Sequence, residues 1–379
     1  MVNFDSEAMA AAAESHRRKT EMGSSTTDQL APAGVVAPEM TSRGPADLRT
    51  RYMGLWLRNP LVASAGPLSQ SVDGIKALAA GGVGAIVMYS LFEEQIRHEA
   101  EREAELIEGP ANSFAEALTY FPVAPSGDSG LTNKYLETLE RAAGAIDVPL
   151  IASLNGSTRG DWTNTARRMA DAGASAIELN VYYVPGDMST AAREVEQRHL
   201  EIMSDVKSTV EIPVAMKLSP YFSSFGEFAH ELDEAGADAL VLFNRYLQPD
   251  VDLDQMAVVS GFGLSTPEEA KLPRTWITAL YGRLNASLAA TTGVQTSDDV
   301  VKYLLAGADV VMTTAALVRN GTGYAQQLVD GLQAWLDRKH LSLTKARGML
   351  AVPAEANLDD YARAGYVSGL ERAKQVYAS

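Results

Sequence analysis

Apolar residues in this chain fall in short runs of strand length, and the longer stretches between them repeat their apolar positions every three to four residues. Four of the runs share a preface: Ala80-Gly81-Gly82-Val83-Gly84-Ala85-Ile86-Val87, Ala172-Gly173-Ala174-Ser175-Ala176-Ile177-Glu178-Leu179, Ala235-Gly236-Ala237-Asp238-Ala239-Leu240-Val241-Leu242 and Ala306-Gly307-Ala308-Asp309-Val310-Val311-Met312-Thr313. The glycine suits the left-handed turn that closes a helix, and the apolar run after it reads as a buried strand. Two more strands are entered through proline, Val148-Pro149-Leu150-Ile151-Ala152-Ser153 and Ile212-Pro213-Val214-Ala215-Met216. Arg51 to Leu57 reads as a short hairpin leading into a first strand at Pro60 to Ala65. With Ala286 to Thr292 the strands number eight, near residues 60, 85, 150, 176, 213, 239, 287 and 310. Helices are predicted at about 71–80, 131–145, 159–172, 193–208, 223–235, 268–283, 296–306 and 323–338.

Eight alternating units with apolar strands predict an α/β fold, the (β/α)8 TIM barrel. A doubly wound open sheet would carry fewer strands and a glycine-rich turn after the first. Gly81-Gly82-Val83-Gly84 ends a helix and opens none, so it is not a dinucleotide fingerprint. Two connections, Tyr89 to Gly130 and Arg245 to Leu272, are too long to be links, and both leave the carboxyl end of the barrel, where sites are walled. The expected organisation is a disordered N-terminal segment (1–45), a barrel (46–340) and a polar C-terminal helical tail packed outside it (341–379). The first segment is rich in Ala, Ser, Thr, Gly and Pro and has no sustained apolar face.

Composition narrows the functions. Hydrophobic residues are 46% and charged residues 21% of the chain, and cysteine is absent. That excludes a disulfide framework, cysteine-ligated zinc, an iron–sulfur cluster bound by this chain and a cysteine nucleophile or base. A net charge of −16 argues against nucleic acid or an anionic membrane as partner. No stretch approaches the ~20 apolar residues of a membrane span. There is no continuous apolar signal segment, and Asp5 and Glu7 do not suit a mitochondrial presequence, so a cytoplasmic protein is expected. His16, His98, His199, His230 and His340 show no metal-ligand spacing; surface placement and no metal site are expected. Glu93 to Glu99 reads as a solvated helical face.

In a barrel the chemistry stands at the carboxyl ends of the strands. There the sequence places Ser64-Ala65-Gly66, Tyr89-Ser90, Ser153 with Asn155, Asn180 with Tyr182 and Tyr183, Lys217 with Ser219, Asn244-Arg245, Thr291-Thr292-Gly293 and Thr313-Thr314. Lys217 is the one charge in the run Ile212 to Pro220. Two readings stand: a buried site lysine meeting a counter-charge or an electron-rich ligand, or an exposed strand-end lysine whose stem covers apolar surface. Thr292 to Asp299 likewise reads either as a phosphate-binding turn before a helix or as a plain turn with Thr296 or Ser297 as N-cap.

The ordered set Asn59 to Gly66, Ile177-Glu178-Leu179-Asn180, Ala215 to Tyr221, Asn244, Thr292-Gly293-Val294 and Leu304 to Ala308 resembles the dihydroorotate dehydrogenase family of FMN-dependent barrels, from about Leu48 to Arg338. It is most similar to that family's dihydroorotate dehydrogenase-like branch. The resemblance implies FMN across the barrel mouth. Ser64, Ala65 and Gly66 would contact the ring through backbone, and Ser153, Asn155 and Asn180 would face ring edge or ribityl. Lys217 would lie on the N1/O2 side, and Thr292-Gly293 with Thr314-Ala315 would hold the phosphate. Asn244, and Tyr89 where the family has lysine, would meet substrate. The family's loop after its fourth strand runs Asn, any residue, Ser, a Cys or Ser base, Pro, Asn. Here Asn180 is followed by Val181-Tyr182-Tyr183-Val184-Pro185-Gly186, so the usual base is missing. The family's asparagine-bearing loop before the third strand reads Phe121-Pro122-Val123-Ala124-Pro125.

The resemblance therefore implies an FMN oxidoreductase acting on a CH–CH bond of a small planar, pyrimidine-like molecule. A tyrosine with an ordinary pKa of ~10 is a poor base and a better proton donor. Tyr182 or Tyr183 would then protonate carbon in an ene-type reductase, or both only wall the pocket. Two other classes stay open: a barrel lyase in which Lys217 forms a Schiff base, and a flavoprotein without turnover. Without cysteines the chain needs a soluble electron acceptor or a redox partner protein, and a homodimer is expected by analogy.

Overall fold

A computed structural model describes residues 44–96, 130–157, 162–183, 185–245, 249–259 and 263–377. The expected disorder of the first segment and the stretch Phe121 to Pro125 lie outside the described residues. Eight parallel strands close a barrel: β3 (Leu61–Ala63), β4 (Ala85–Phe92), β5 (Leu150–Gly156), β6 (Ala176–Val181), β7 (Val214–Leu218), β8 (Ala239–Leu242), β11 (Ser287–Ala290) and β12 (Val310–Thr313). The last strand pairs with β3, so no edge is left unpaired. The predicted (β/α)8 fold is the observed one.

Helices α1 (Val72–Ala80), α2 (Leu131–Ala143), α3 (Trp162–Asp171), α4 (Ala192–Lys207), α5 (Phe225–Glu234), α6 (Lys271–Leu280) and α7 (Ser297–Ala306) cover the strands. They are followed by α8 (Ala315–Asn320) and α9 (Tyr324–Lys339). The signature glycines close helices as expected, with Gly173, Gly236 and Gly307 at φ of 93°, 94° and 118°. In the first copy the doubled glycine moves the left-handed residue to Gly82, at φ 105°.

A hairpin of β1 (Thr50–Tyr52) and β2 (Leu55–Leu57) stops the barrel from below. Tyr52 pairs with Leu55, so Met53-Gly54 is a two-residue turn, and both have positive φ, as the tight hairpin turn requires. Tyr52, Met53 and Leu57 are buried with the inward-facing alanines Ala85, Ala176, Ala215, Ala239 and Ala289. Small residues on five strands leave the space that the hairpin side chains occupy. In the long connection after β8, β9 (Asp250–Asp252) and β10 (Ala257–Val259) form a second hairpin.

Residues 45–352 make one compact unit. Beyond α9, α10 (Leu343–Ala346) buries Leu343 and Ala346, and the amides of Gly348, Leu350 and Val352 donate to the carbonyls of Leu304, Leu305 and Thr278, each at 2.9 Å. In the second unit, α11 (Leu358–Tyr377) is a helix with no buried residue. No helix among the described residues is long and apolar enough to cross a membrane.

Candidate active site

Side chains alternate along a strand, so residues two apart share the barrel interior. Ala176, Glu178 and Asn180 on β6 share one parity, as do Ala215 and Lys217 on β7. The register sets Asn155 beside Asn180 and Asn180 beside Lys217, with Ser153, Glu178 and Ala215 one row below. Three predicted site residues thus stand in one row at the mouth. Lys217 is only 9% exposed. The reading of it as an exposed strand-end lysine is thereby overturned, because strand parity turns it inward to a counter-charge: Nζ lies 3.6 Å from Glu178 Oε1.

Asn244 joins this row from the end of β8. Its backbone N–H donates to Leu218 O at 2.7 Å, and its side-chain amide donates to Asn180 Oδ1. With its carbonyl taken, Asn180 keeps its NH2 donors for a ligand. Below, Ser90 and Ser153 share a hydroxyl hydrogen bond of 2.8 Å.

Strand β4 slips register between Val87 and Ser90, which brings Ser90 opposite Ser153. At the slip Tyr135 reaches in from α2: Ser153 N–H donates to Tyr135 Oη at 2.9 Å, and that hydroxyl lies 3.3 Å from Ser153 O. Burial raises the Tyr135 phenol pKa well above its usual range. Tyr89 stands at the slip, half-buried, its ring edge-on to Tyr135 at 5.0 Å, while Ser90 takes the place opposite Ser153.

The other side of the mouth gathers the first and last strands. Ser64 N–H donates to Thr313 O at 3.2 Å, and Thr314 Oγ1 lies 2.5 Å from Ser64 O and 3.0 Å from Ser64 Oγ. Gly66 runs against Thr314, where a Cβ would come within 2.6 Å of Thr314 Cγ2. Thr292 and Gly293 both have positive φ, 79° and 77°. A Cβ on Gly293 would meet Ala270 and the Thr266 carbonyl at under 3 Å. Thr296 is the N-cap of α7, and Asp299 accepts from its amide at 3.0 Å, its hydroxyl at 2.9 Å and the Gln295 amide at 3.2 Å. The start of α7 is therefore closed by its own carboxylate.

Ser265 ties the long connection after β8 to this turn. Its hydroxyl accepts from Gly293 N–H at 3.2 Å, and its carbonyl accepts from Gln295 and Arg319, each at 3.1 Å. Nothing in the sequence pattern singles it out.

After β6, Tyr182 N–H adds one more ladder bond, to Gly156 O at 3.0 Å. The Arg198 guanidinium lies 4.2 Å from the Tyr183 ring centroid, and its Nη1 donates to Ser157 O at 3.0 Å. One cation thus fixes the ring and joins the ends of β5 and β6. The adjacent His199, expected on the surface, is 2% exposed, set edge-on to Phe222 and Phe228 at 5.3 and 5.5 Å. Burial lowers its pKa to about 4, outweighing the Val195 carbonyl bond at 2.7 Å. Glu93 is likewise not a merely solvated residue: its carboxylate accepts from Ser157 N–H at 3.0 Å. Glu178, Arg198, Tyr135 and Ser265 are the residues that sequence reasoning left without a role. Among the described residues no cluster of metal-ligating side chains occurs.

Residues 47–336 match the profile of the dihydroorotate dehydrogenase family. Similar proteins include the catalytic subunit of dihydroorotate dehydrogenase B (NAD(+)) from Methanothermobacter thermautotrophicus, 26% identical over 76% of this chain and 93% of that protein. The subunit of the same name from Methanocella arvoryzae is 28% identical over 78% of this chain and 95% of its own length. That from Listeria welshimeri is 28% identical over 70% and 85%.

Proposed function

Because the chain belongs to the dihydroorotate dehydrogenase family, and is an oxidoreductase of that kind acting on CH–CH bonds, we propose that its barrel mouth binds FMN and a small planar substrate. The observation that carries this reading is the row Asn155, Asn180 and Lys217, joined by Asn244 and set over a buried carboxylate. A flavin ring offers a polar edge of acceptors and one donor, and a row of amides with one ammonium is the donor set that suits it. Gly66 packs against Thr314 and Gly293 against Ala270 and Thr266, where a Cβ would collide, which fixes the backbone of both turns beside the mouth. When bound, FMN supplies two-electron exchange with a C–H bond of the substrate.

The chain's own residues do the rest. Lys217 places positive charge on the N1/O2 side of the ring, where electron density rises on reduction. Ser153, Asn155 and Asn180 orient the ring, Ser64 to Gly66 line its face, and Thr292-Gly293 with Thr314-Ala315 hold the phosphate. Asn244 and Tyr89 contact substrate. Counting from Asn180, Tyr183 occupies the position of the family's Cys or Ser base. Its ring is held by Arg198, and Tyr182 beside it continues the parity of Asn180; these two phenols are the ones we assign to proton transfer at the substrate carbon. A phenol serves this step better as donor than as base. That favours reduction of an activated double bond over dihydroorotate oxidation.

The relatives are named as catalytic subunits of an NAD(+) enzyme. A soluble redox partner protein that exchanges electrons with the flavin is the partner we propose, as this chain has no cysteine for a cluster of its own. A homodimer in the cytoplasm completes the proposal.

The test is a visible absorption spectrum of the purified protein, repeated anaerobically with dihydroorotate and, after chemical reduction, with orotate. A flavin spectrum that bleaches with dihydroorotate establishes dehydrogenase chemistry. One that is unmoved by dihydroorotate but reappears when orotate or another activated alkene meets the reduced protein establishes the reductase. Absence of flavin, even after incubation with FMN, refutes the proposal.

A further inference from the structure

Glu178 is 1% exposed, and neither of its carboxylate oxygens has a hydrogen-bond partner in the structure. A bare buried carboxylate is among the costliest groups a protein can keep. Its neighbours explain the site only in part. Of its cross-strand neighbours, Ala215 offers no donor and the Ser153 hydroxyl is bonded to Ser90, and Tyr52, whose phenol pKa rises with burial and with the charge of Glu178, has a buried hydroxyl that is also without a partner. The one cation beside it is Lys217, at 3.6 Å.

That separation has a chemical meaning. It is within ion-pair range but beyond a hydrogen bond, so the carboxylate attracts the ammonium without consuming its N–H donors. Lys217 donates to no other described residue. Its donors are therefore left for whatever lies above the row, while the negative charge stands directly behind it, on the lumen side. A charge so placed partly cancels the field that the ammonium projects upward.

Resting on the reading of this mouth as a flavin site, we propose that Glu178 is a positioning residue that anchors Lys217 by charge alone and offsets part of its field, and so sets the reduction equilibrium of the bound flavin. No other carboxylate among the described residues is paired with Lys217.

The experiment compares wild type, Glu178→Gln, Lys217→Met and the double variant, each loaded with FMN. The readouts are the midpoint potential at pH 7 by dye equilibration and FMN affinity by fluorescence quenching. Removing the carboxylate leaves the ammonium uncompensated. Glu178→Gln is therefore expected to shift the equilibrium at least tenfold towards reduced flavin, about 30 mV for a two-electron couple. In the Lys217→Met background only the carboxylate's own charge is removed and no ammonium is released from it, so the same change is expected to give a smaller shift. A Glu178→Gln protein within threefold of wild type overturns the inference, and so does a shift of equal size with and without Lys217. A merely structural role for Glu178 would lower FMN affinity or yield without moving the potential through the lysine. Should Glu178→Gln not fold, Glu178→Asp, which withdraws the charge by one methylene, is expected to move the equilibrium threefold in the same direction, and no movement overturns the inference. Wild type that takes up no FMN defeats the functional reading and this inference together; wild type that binds FMN with an unresponsive Glu178 variant defeats this inference alone.

Discussion

Tyr135→Phe tests the register slip beside the mouth. The substitution keeps the ring, its packing and its edge contact with Tyr89, and removes one oxygen that serves both the N–H and the C=O of Ser153. Ser153 is 0% exposed, so water cannot take over without a local opening. An orphaned buried amide costs about 1–3 kcal/mol and a carbonyl, with its second lone pair, somewhat less, so the loss should total about 2–4 kcal/mol. Relief from burying the phenol itself reduces this to about 2 kcal/mol or slightly more. A barrel of this size need not unfold in two states, so urea midpoints should be joined by native-state hydrogen exchange. The Ser153 amide should exchange about thirtyfold faster, the equivalent of ~2 kcal/mol. Unchanged Ser153 exchange, with a urea midpoint equivalent to under about 0.5 kcal/mol of change, would refute the assignment of Tyr135 as the partner of the Ser153 backbone.

Three other outcomes are expected. His199 is neutral when folded, with a pKa of about 4 against ~6.5 unfolded, so the unfolded chain binds its proton first as pH falls. Its stabilisation is complete above ~6.5 and lost on the way down to about 4, on the order of 3 kcal/mol; urea midpoints for His199→Gln should show a flatter acid limb across that window. Gly66→Ala drives a Cβ against Thr314 Cγ2 and should cost about 1–3 kcal/mol, with most of the lost melting temperature restored by Thr314→Ser. Lys217→Met should cut the rate of flavin reduction or reoxidation by substrate at least a hundredfold, as loss of a preorganised charge typically does, about 2.7 kcal/mol, with a stopped-flow trace as the measure and an unchanged rate as the refutation.

The strands were legible because parallel barrel strands are buried on both faces and the chain marks their entries with Ala-Gly or proline. The hairpin below the barrel was legible from its turn. The slip in β4 was not, since Val87-Met88-Tyr89 is apolar on either side of it and carries no parity signal. Glu178 was readable in principle, two residues before Asn180 on the same face, but parity alone does not say that a buried carboxylate lacks donors. Tyr135 and Arg198 come from helices whose apolar or charged positions have ordinary structural explanations, and which strand end a helical side chain reaches depends on packing. Ser265 lies in a connection with no period to read. For the same reason a helical histidine read as a surface residue was buried between two phenylalanines.

The stopper beneath the barrel has a consequence for exchange between relatives. Tyr52, Met53 and Leu57 fill a space defined by alanines on five separate strands, so these eight side chains behave as one steric unit although they are spread over some 240 residues of sequence. A chimera that imports a bulkier hairpin, or strands with larger interior residues, would be overfilled, and one that imports the reverse would be hollow. Upper-rim loops are separable grafts by comparison, since they meet across the mouth through polar contacts. The breakpoints of a working hybrid should therefore keep the hairpin and all five alanines from one parent.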